Sequence, residues 1–133
     1  MDNLVNMYGV RPPFKTELEF FKGRPEVAGM AAEDDKIVLN PFSPLSKKEL
    51  NAVAQNEALR IYMRQNQINP SFDLTQTQQK MFEDTEYASD PIAAKQSILA
   101  RILSGDPSAK GASLDQTIEA QKLQDQIMQM MKK

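Results

Sequence analysis

Five of the eight prolines in this 133-residue chain, Pro12, Pro13, Pro25, Pro41 and Pro44, fall in the first 45 residues, together with Gly9, Gly23 and Gly29. Proline lacks a backbone donor and biases its predecessor toward extended geometry, so residues 1–45 are expected to form an extended arm with at most one short helix. Thr16-Glu17-Leu18-Glu19 supports that helix: Thr16 and Glu19 have the form of a capping box ahead of Phe20-Phe21, which predicts a helix over about residues 17–22. Ile37-Val38-Leu39 is a brief β-prone run that stops at Asn40-Pro41. Three residues are too few for an independent strand, and the expectation is that they add to the edge of a neighbour's sheet.

From Ser46 onward the signals are helical. Ser46 and Glu49 form a capping box, and Leu45 and Leu50 a hydrophobic staple, starting a helix that should run to about Asn66 with Leu50, Val53, Ala54, Ala58 and Ile61 on one face. Thr75 with Gln78 starts a short helix carrying Met81 and Phe82. Asp90-Pro91 reads as a cap followed by proline at the first helical position, and Ile92, Ile98, Leu99, Ile102 and Leu103 form a stripe that ends at Gly105. Ser113 with Gln116 opens a last helix, whose seam runs through Ala120, Leu123, Ile127 and Met130 for about two heptads. The fold class expected is mainly α: a small helical bundle of four to five helices in residues 46–133, preceded by a long extended Pro-rich arm in residues 1–45.

Composition excludes several chemistries. The chain has neither cysteine nor histidine, which removes disulfides, thiol catalysis, the usual zinc ligands and the commonest general base. Sixteen basic against eighteen acidic residues leave no global field for nucleic acid or an anionic membrane, and no apolar run is long enough to span a bilayer. Met1–Asn6 lacks the basic start and apolar stretch of a secretory signal.

Each remaining chemical candidate has a plain structural counterpart. Gly105–Ser113 contains two glycines, a lysine and a serine, but Lys110 precedes Gly111 and Ala112 separates that glycine from Ser113, so an interhelical turn is expected rather than a phosphate loop. Glu33-Asp34-Asp35 lacks the ligand spacing of a calcium loop and reads as a solvated turn or a partner for basic groups. Glu57 lies on or beside an apolar helix face, where it needs a partner: either Arg60, one turn on, or a group on another subunit reached by Arg60 and Arg64. Residues 46–70 carry four basic and two acidic side chains. Lys47, Lys48, Arg60 and Arg64 therefore form the one basic face, adequate only for weak, salt-sensitive phosphate contact. No catalytic residue, metal site or cofactor is expected, and the chain is not read as an enzyme.

The apolar residues of the arm, Phe14, Phe20, Phe21, Ile37, Val38, Leu39 and Phe42, need burial in the segment least able to fold alone. They either wrap the protein's own helices or dock in a groove on another subunit. Met128, Met130 and Met131 likewise either fill a helix seam or form an adaptable contact surface.

The stretch from Glu26-Val27-Ala28-Gly29-Met30 through Asn40-Pro41-Phe42-Ser43-Pro44-Leu45-Ser46, followed by Asn56-Glu57-Ala58-Leu59-Arg60-Ile61-Tyr62-Met63-Arg64, resembles small uncharacterised virion or virion-assembly proteins of tailed bacteriophages. The resemblance covers about residues 17–65 and contains no catalytic motif. It implies a virion or virion-assembly role and carries over no functional residues; the leading expectation is a non-enzymatic structural protein of the particle, assembled in the host cytoplasm, at the capsid, the portal and head–tail junction or the head interior. Other virion proteins in a symmetric assembly would be its partners, with no membrane and at most weak nucleic-acid contact. Arm residues and Arg60 and Arg64 would then make the partner contacts. The alternative is an assembly accessory, such as a scaffold or DNA-packaging factor, touching DNA through Lys47, Lys48, Arg60 and Arg64.

Overall fold

The computed structural model describes residues 2–132. Among these, the architecture is mainly helical: α1 (Asp2–Tyr8), α2 (Lys15–Phe21), β1 (Gly29–Ala31), β2 (Ile37–Leu39), α3 (Lys47–Gln65), α4 (Gln76–Phe82), α5 (Pro91–Ser104) and α6 (Leu114–Met131). The chain forms two compact units, residues 1–62 and 63–133, and the division falls inside α3.

Residues 1–45 are not a continuous extended arm. They hold two short helices and an antiparallel hairpin, because the prolines lie between elements, where their missing donors interrupt nothing. α1 ends at Gly9, whose φ of 88° suits a left-handed residue and whose N–H reaches Val5 O at 2.8 Å. α2 begins two residues earlier than Thr16 suggests: Phe14 is the N-cap, and its N–H donates to the Glu17 carboxylate at 2.8 Å. Glu17 closes the helix start from the third helical position, so the spacing Thr16–Glu19 is not used as a cap.

The strand Ile37–Leu39 pairs inside its own chain, not with a neighbour's sheet. Gly29, Met30 and Ala31 lie opposite Leu39, Val38 and Ile37. On its other side Ile37 forms a parallel bridge with Val10, with Ile37 N donating to Gly9 O and Arg11 N to Ile37 O, each at 2.9 Å. The hairpin turn uses Glu33-Asp34-Asp35, with Asp35 at φ 59°, a left-handed conformation that aspartate tolerates. Gly29 is required by a close approach: a Cβ there would stand 3.0 Å from Val38 O and 3.1 Å from Val53 Cγ1 of α3. Phe21, Ala32 and Val38 form a core cluster flanked by Val27 and Met30. Buried Asn40 ends the hairpin: its Nδ2 donates to Arg24 O and Val27 O (3.0 and 2.6 Å), while its Oδ1 accepts from Phe42 N (2.8 Å).

α3 starts at the expected box, in which Ser46 N donates to Glu49 Oε1 and Glu49 N to Ser46 Oγ, both at 3.2 Å. It ends in a Schellman-type turn, Ile68 N to Met63 O at 3.0 Å, with Gln67 held at φ 51° in place of the usual glycine.

In the second unit, the helix starts are those the sequence predicts. Thr75 caps α4, Asp90 caps α5 ahead of Pro91, and Ser113 caps α6. Gly105 closes α5 at φ 73°. Gln78 and Gln116, the third residues of α4 and α6, are both buried and face one another: Gln78 Nε2 donates to Gln116 Oε1 at 2.9 Å and Gln116 Nε2 to Gln78 Oε1 at 2.7 Å. Each oxygen also closes its own capping box, accepting from Thr75 N or Ser113 N, and Gln116 Nε2 reaches Asp73 O at 3.0 Å. Along α5 the buried stripe is Ala94, Ser97, Ile98, Leu99 and Ala100, whereas Ile92 is exposed. Along α6, Ala120, Leu123 and Ile127 are buried and Met130 is half-buried.

Two outcomes test these interactions. Gln116→Glu replaces two donor bonds with a carboxylate facing carbonyl oxygens. It should cost about 1–3 kcal/mol at pH 7 and recover on acidification, as read by denaturant unfolding. Gln67→Gly should raise stability by up to about 1 kcal/mol, the relief of left-handed strain less the added unfolded-state entropy.

Candidate functional site

Surface placement separates the apolar residues of the first unit into two groups. Phe21, Ile37 and Val38 are fully buried and Leu39 is half-buried, so Phe21, Ile37 and Val38 serve this chain's own core. Hydrophobic packing within the unit meets the burial they require, which corrects the expectation that they dock on a partner. Phe14, Phe20 and Phe42 are exposed. Phe14, 58% exposed, and Leu18 lie one turn apart at the start of α2, and Met7 and Val10 also leave apolar side chains open to solvent.

Arg11 organises this region. Its Nη1 and Nη2 grip Glu17 Oε1 and Oε2 at 2.7 and 2.8 Å, a bidentate fork. Its Nε and Nη2 donate to Asp34 Oδ2 and Oδ1 of the hairpin turn at 2.8 and 3.3 Å. Nη1 also reaches Pro12 O at 3.1 Å. One guanidinium thus ties the segment after α1 to the start of α2 and to the β1–β2 turn, and its carbon lies 3.8 Å from the Phe14 ring centroid. Arg24 covers Phe20 in a looser way, 4.6 Å from the centroid, while donating to Phe20 O at 2.7 Å.

Hydrogen bonding from Arg11 holds the Glu17 carboxyl below the usual carboxylate range, and the Phe14 N–H adds to it. The same guanidinium lowers Asp34, assisted by the Lys36 and Asp34 backbone amides. Arg11 is in turn shifted upward by Glu17 and then Asp34.

The remaining candidates occupy structural roles or stand apart. Arg60 lies 3.5 Å from buried Glu57 on the same helix, and Arg64 is exposed in the last turn of α3, where cations suit the helix dipole. Lys47 and Lys48 are exposed at the opposite end of α3. The Gly105–Ser113 segment is an interhelical turn: Asp106 accepts from Ser108 N at 2.8 Å, and Ser108 Oγ accepts from Arg101 Nη1 at 2.9 Å. Among the described residues no group of three or more acidic side chains converges to hold a metal ion. A groove of about 530 Å³ in the second unit is lined by Leu74, Lys80, Phe82, Glu83, Tyr87 and Ala94 among others.

Arg11 is not among the residues that the sequence marks out. The spacing of Arg11, Phe14 and Glu17, one residue every three across a helix start, was the available signal. The Asp34 contact spans 23 residues and left none.

No protein-family model, curated protein or solved structure matches the chain. No helix among the described residues is long and apolar enough to cross a membrane.

A group whose folded pKa is lowered adds stability above its unfolded pKa and loses it as pH falls through the folded value. The Glu17 and Asp34 contributions should therefore be complete above about pH 4–4.5 and fade below it. Thermal unfolding of the wild type and Glu17→Gln should differ most at pH 7 and converge toward pH 2–3; a constant gap would remove the ion pair as its cause.

Proposed function

We propose that the chain is a non-enzymatic structural protein of a bacteriophage particle, which binds a neighbouring virion protein through the exposed face at the start of α2. The observation that carries this reading is Phe14, a large aromatic left 58% exposed although a guanidinium is committed to holding it. Exposed, rigidly held aromatics are the residues that anchor protein interfaces. Leu18, one turn on, widens the apolar contact, and Phe20 and Phe42 are further exposed aromatics of the same unit. The resemblance across residues 17–65 to small virion proteins supports the setting. In this reading Ile37–Leu39 holds the hairpin together, and adhesion belongs to the outward residues.

Particles purified from infected host through a density gradient test the reading. The chain should copurify with mature particles, and Phe14→Asp should cut its occupancy at least several-fold while the free protein stays folded. Recovery of the chain only in the free fraction would overturn the proposal. Presence in immature particles alone would assign it to assembly, as a scaffold or packaging factor.

A further inference from the structure

We propose that Arg11 is the positioning residue of this docking face, holding Phe14 in its bound orientation before the partner arrives; this rests on the docking reading above. A guanidinium has five N–H donors, and all five are engaged: Nε on Asp34, Nη1 on Glu17 and Pro12 O, Nη2 on Glu17 and Asp34. Its orientation is fixed by three separate pieces of backbone, the turn at Pro12, the first turn of α2 and the hairpin turn. The flat face of the group is what remains, and the Phe14 ring lies 3.8 Å above it.

Phe14 cannot rotate inward to bury itself without giving up that stack, so the ring stays presented with one face supported and one open. Its backbone is fixed as well, because Phe14 N donates to the same Glu17 carboxylate that Arg11 grips. Backbone and ring of the anchor are therefore both set by the Arg11–Glu17 pair. Arg24 offers Phe20 no equivalent: it stands farther from the ring, and its hydrogen bond goes to the Phe20 carbonyl rather than to a carboxylate. A partner meeting a pre-ordered Phe14 avoids the roughly 0.5–1.5 kcal/mol of ordering a free side chain, several-fold and up to about tenfold in affinity.

Lysine retains the positive charge but has neither the fork nor the plane, which makes Arg11→Lys the discriminating variant. The full-length protein with ¹³C-labelled phenylalanine would be examined by aromatic-ring NMR relaxation, with amide exchange at Phe21 and Ile37–Asn40 reporting the fold. Arg11→Lys should mobilise the Phe14 ring, leave that protection in place, and lower occupancy on purified particles several-fold. Asp34→Asn, which spares the Glu17 fork, should give a smaller loss of both; it also decides the question if Arg11→Lys unfolds the unit. A Phe14 ring as ordered in the variants as in the wild type would overturn the positioning role, as would a mobilised ring with unchanged occupancy. Wild-type protein absent from particles would instead defeat the docking reading, while the relaxation data would still report whether Arg11 orders Phe14.

Discussion

The second unit depends on one pair of glutamine side chains. α4 is seven residues long, too short to persist on its own propensity. Its N-terminal donors need partners, and Gln78 supplies one through its capping box. The same amide then locks to Gln116, which performs that office for α6. Two helix starts 38 residues apart in sequence are thereby joined at a site closed to water. There the amides exchange hydrogen bonds, and the loss of either donor takes from the facing oxygen one of its two partners, leaving only its backbone N–H. Asp73 O adds the connecting loop to the pair, so loop and both helix starts share one polar centre.

Arg11 plays the corresponding part in the first unit with charge in place of amide symmetry. Before α3 its elements are also short, two helices of seven residues and strands of three. The guanidinium and its two carboxylates are less enclosed than the glutamine pair: Asp34 keeps nearly half its side chain in solvent, while Arg11 and Glu17 are mostly covered. The Glu17 arm is therefore the less screened of the two, and the one through which geometry is held most firmly. The polar contacts of this unit support an outward aromatic, whereas those of the second unit close inward.

Local chemistry made the helices of residues 46–133 legible. Ser46, Thr75, Asp90, Ser113 and Gly105 each act within four residues of their own position, and the structure uses every one of them. The first 45 residues were less readable because their order comes from distant partners. Gly-Met-Ala does not look like a strand; it becomes one because Gly29 lets the backbone lie close to Val53 and pair with Leu39. Prolines between elements gave the impression of a continuous extended arm, although each leaves the neighbouring helix or strand intact. The candidate site was half visible: Phe14 and Phe20 were recognisable as apolar residues in search of cover, but Arg11, which determines what Phe14 can do, joins groups that only the hairpin brings together. Phe21, Ile37 and Val38 could not be told from them by composition, since burial depends on which face of α2 and β2 meets the core.

The strand beside Val10 has a consequence for how such a protein behaves when crowded. Val10 is the outermost bridge residue on that side of the small sheet, and a bare strand edge is where identical chains would otherwise add to one another without limit. Pro12 and Pro13 follow almost at once and offer no N–H to a newcomer. On that side the sheet cannot act as a template. Many copies could stand at high local concentration with aromatic side chains turned outward, and the proline pair would keep their association from continuing into a β-fibre by this route.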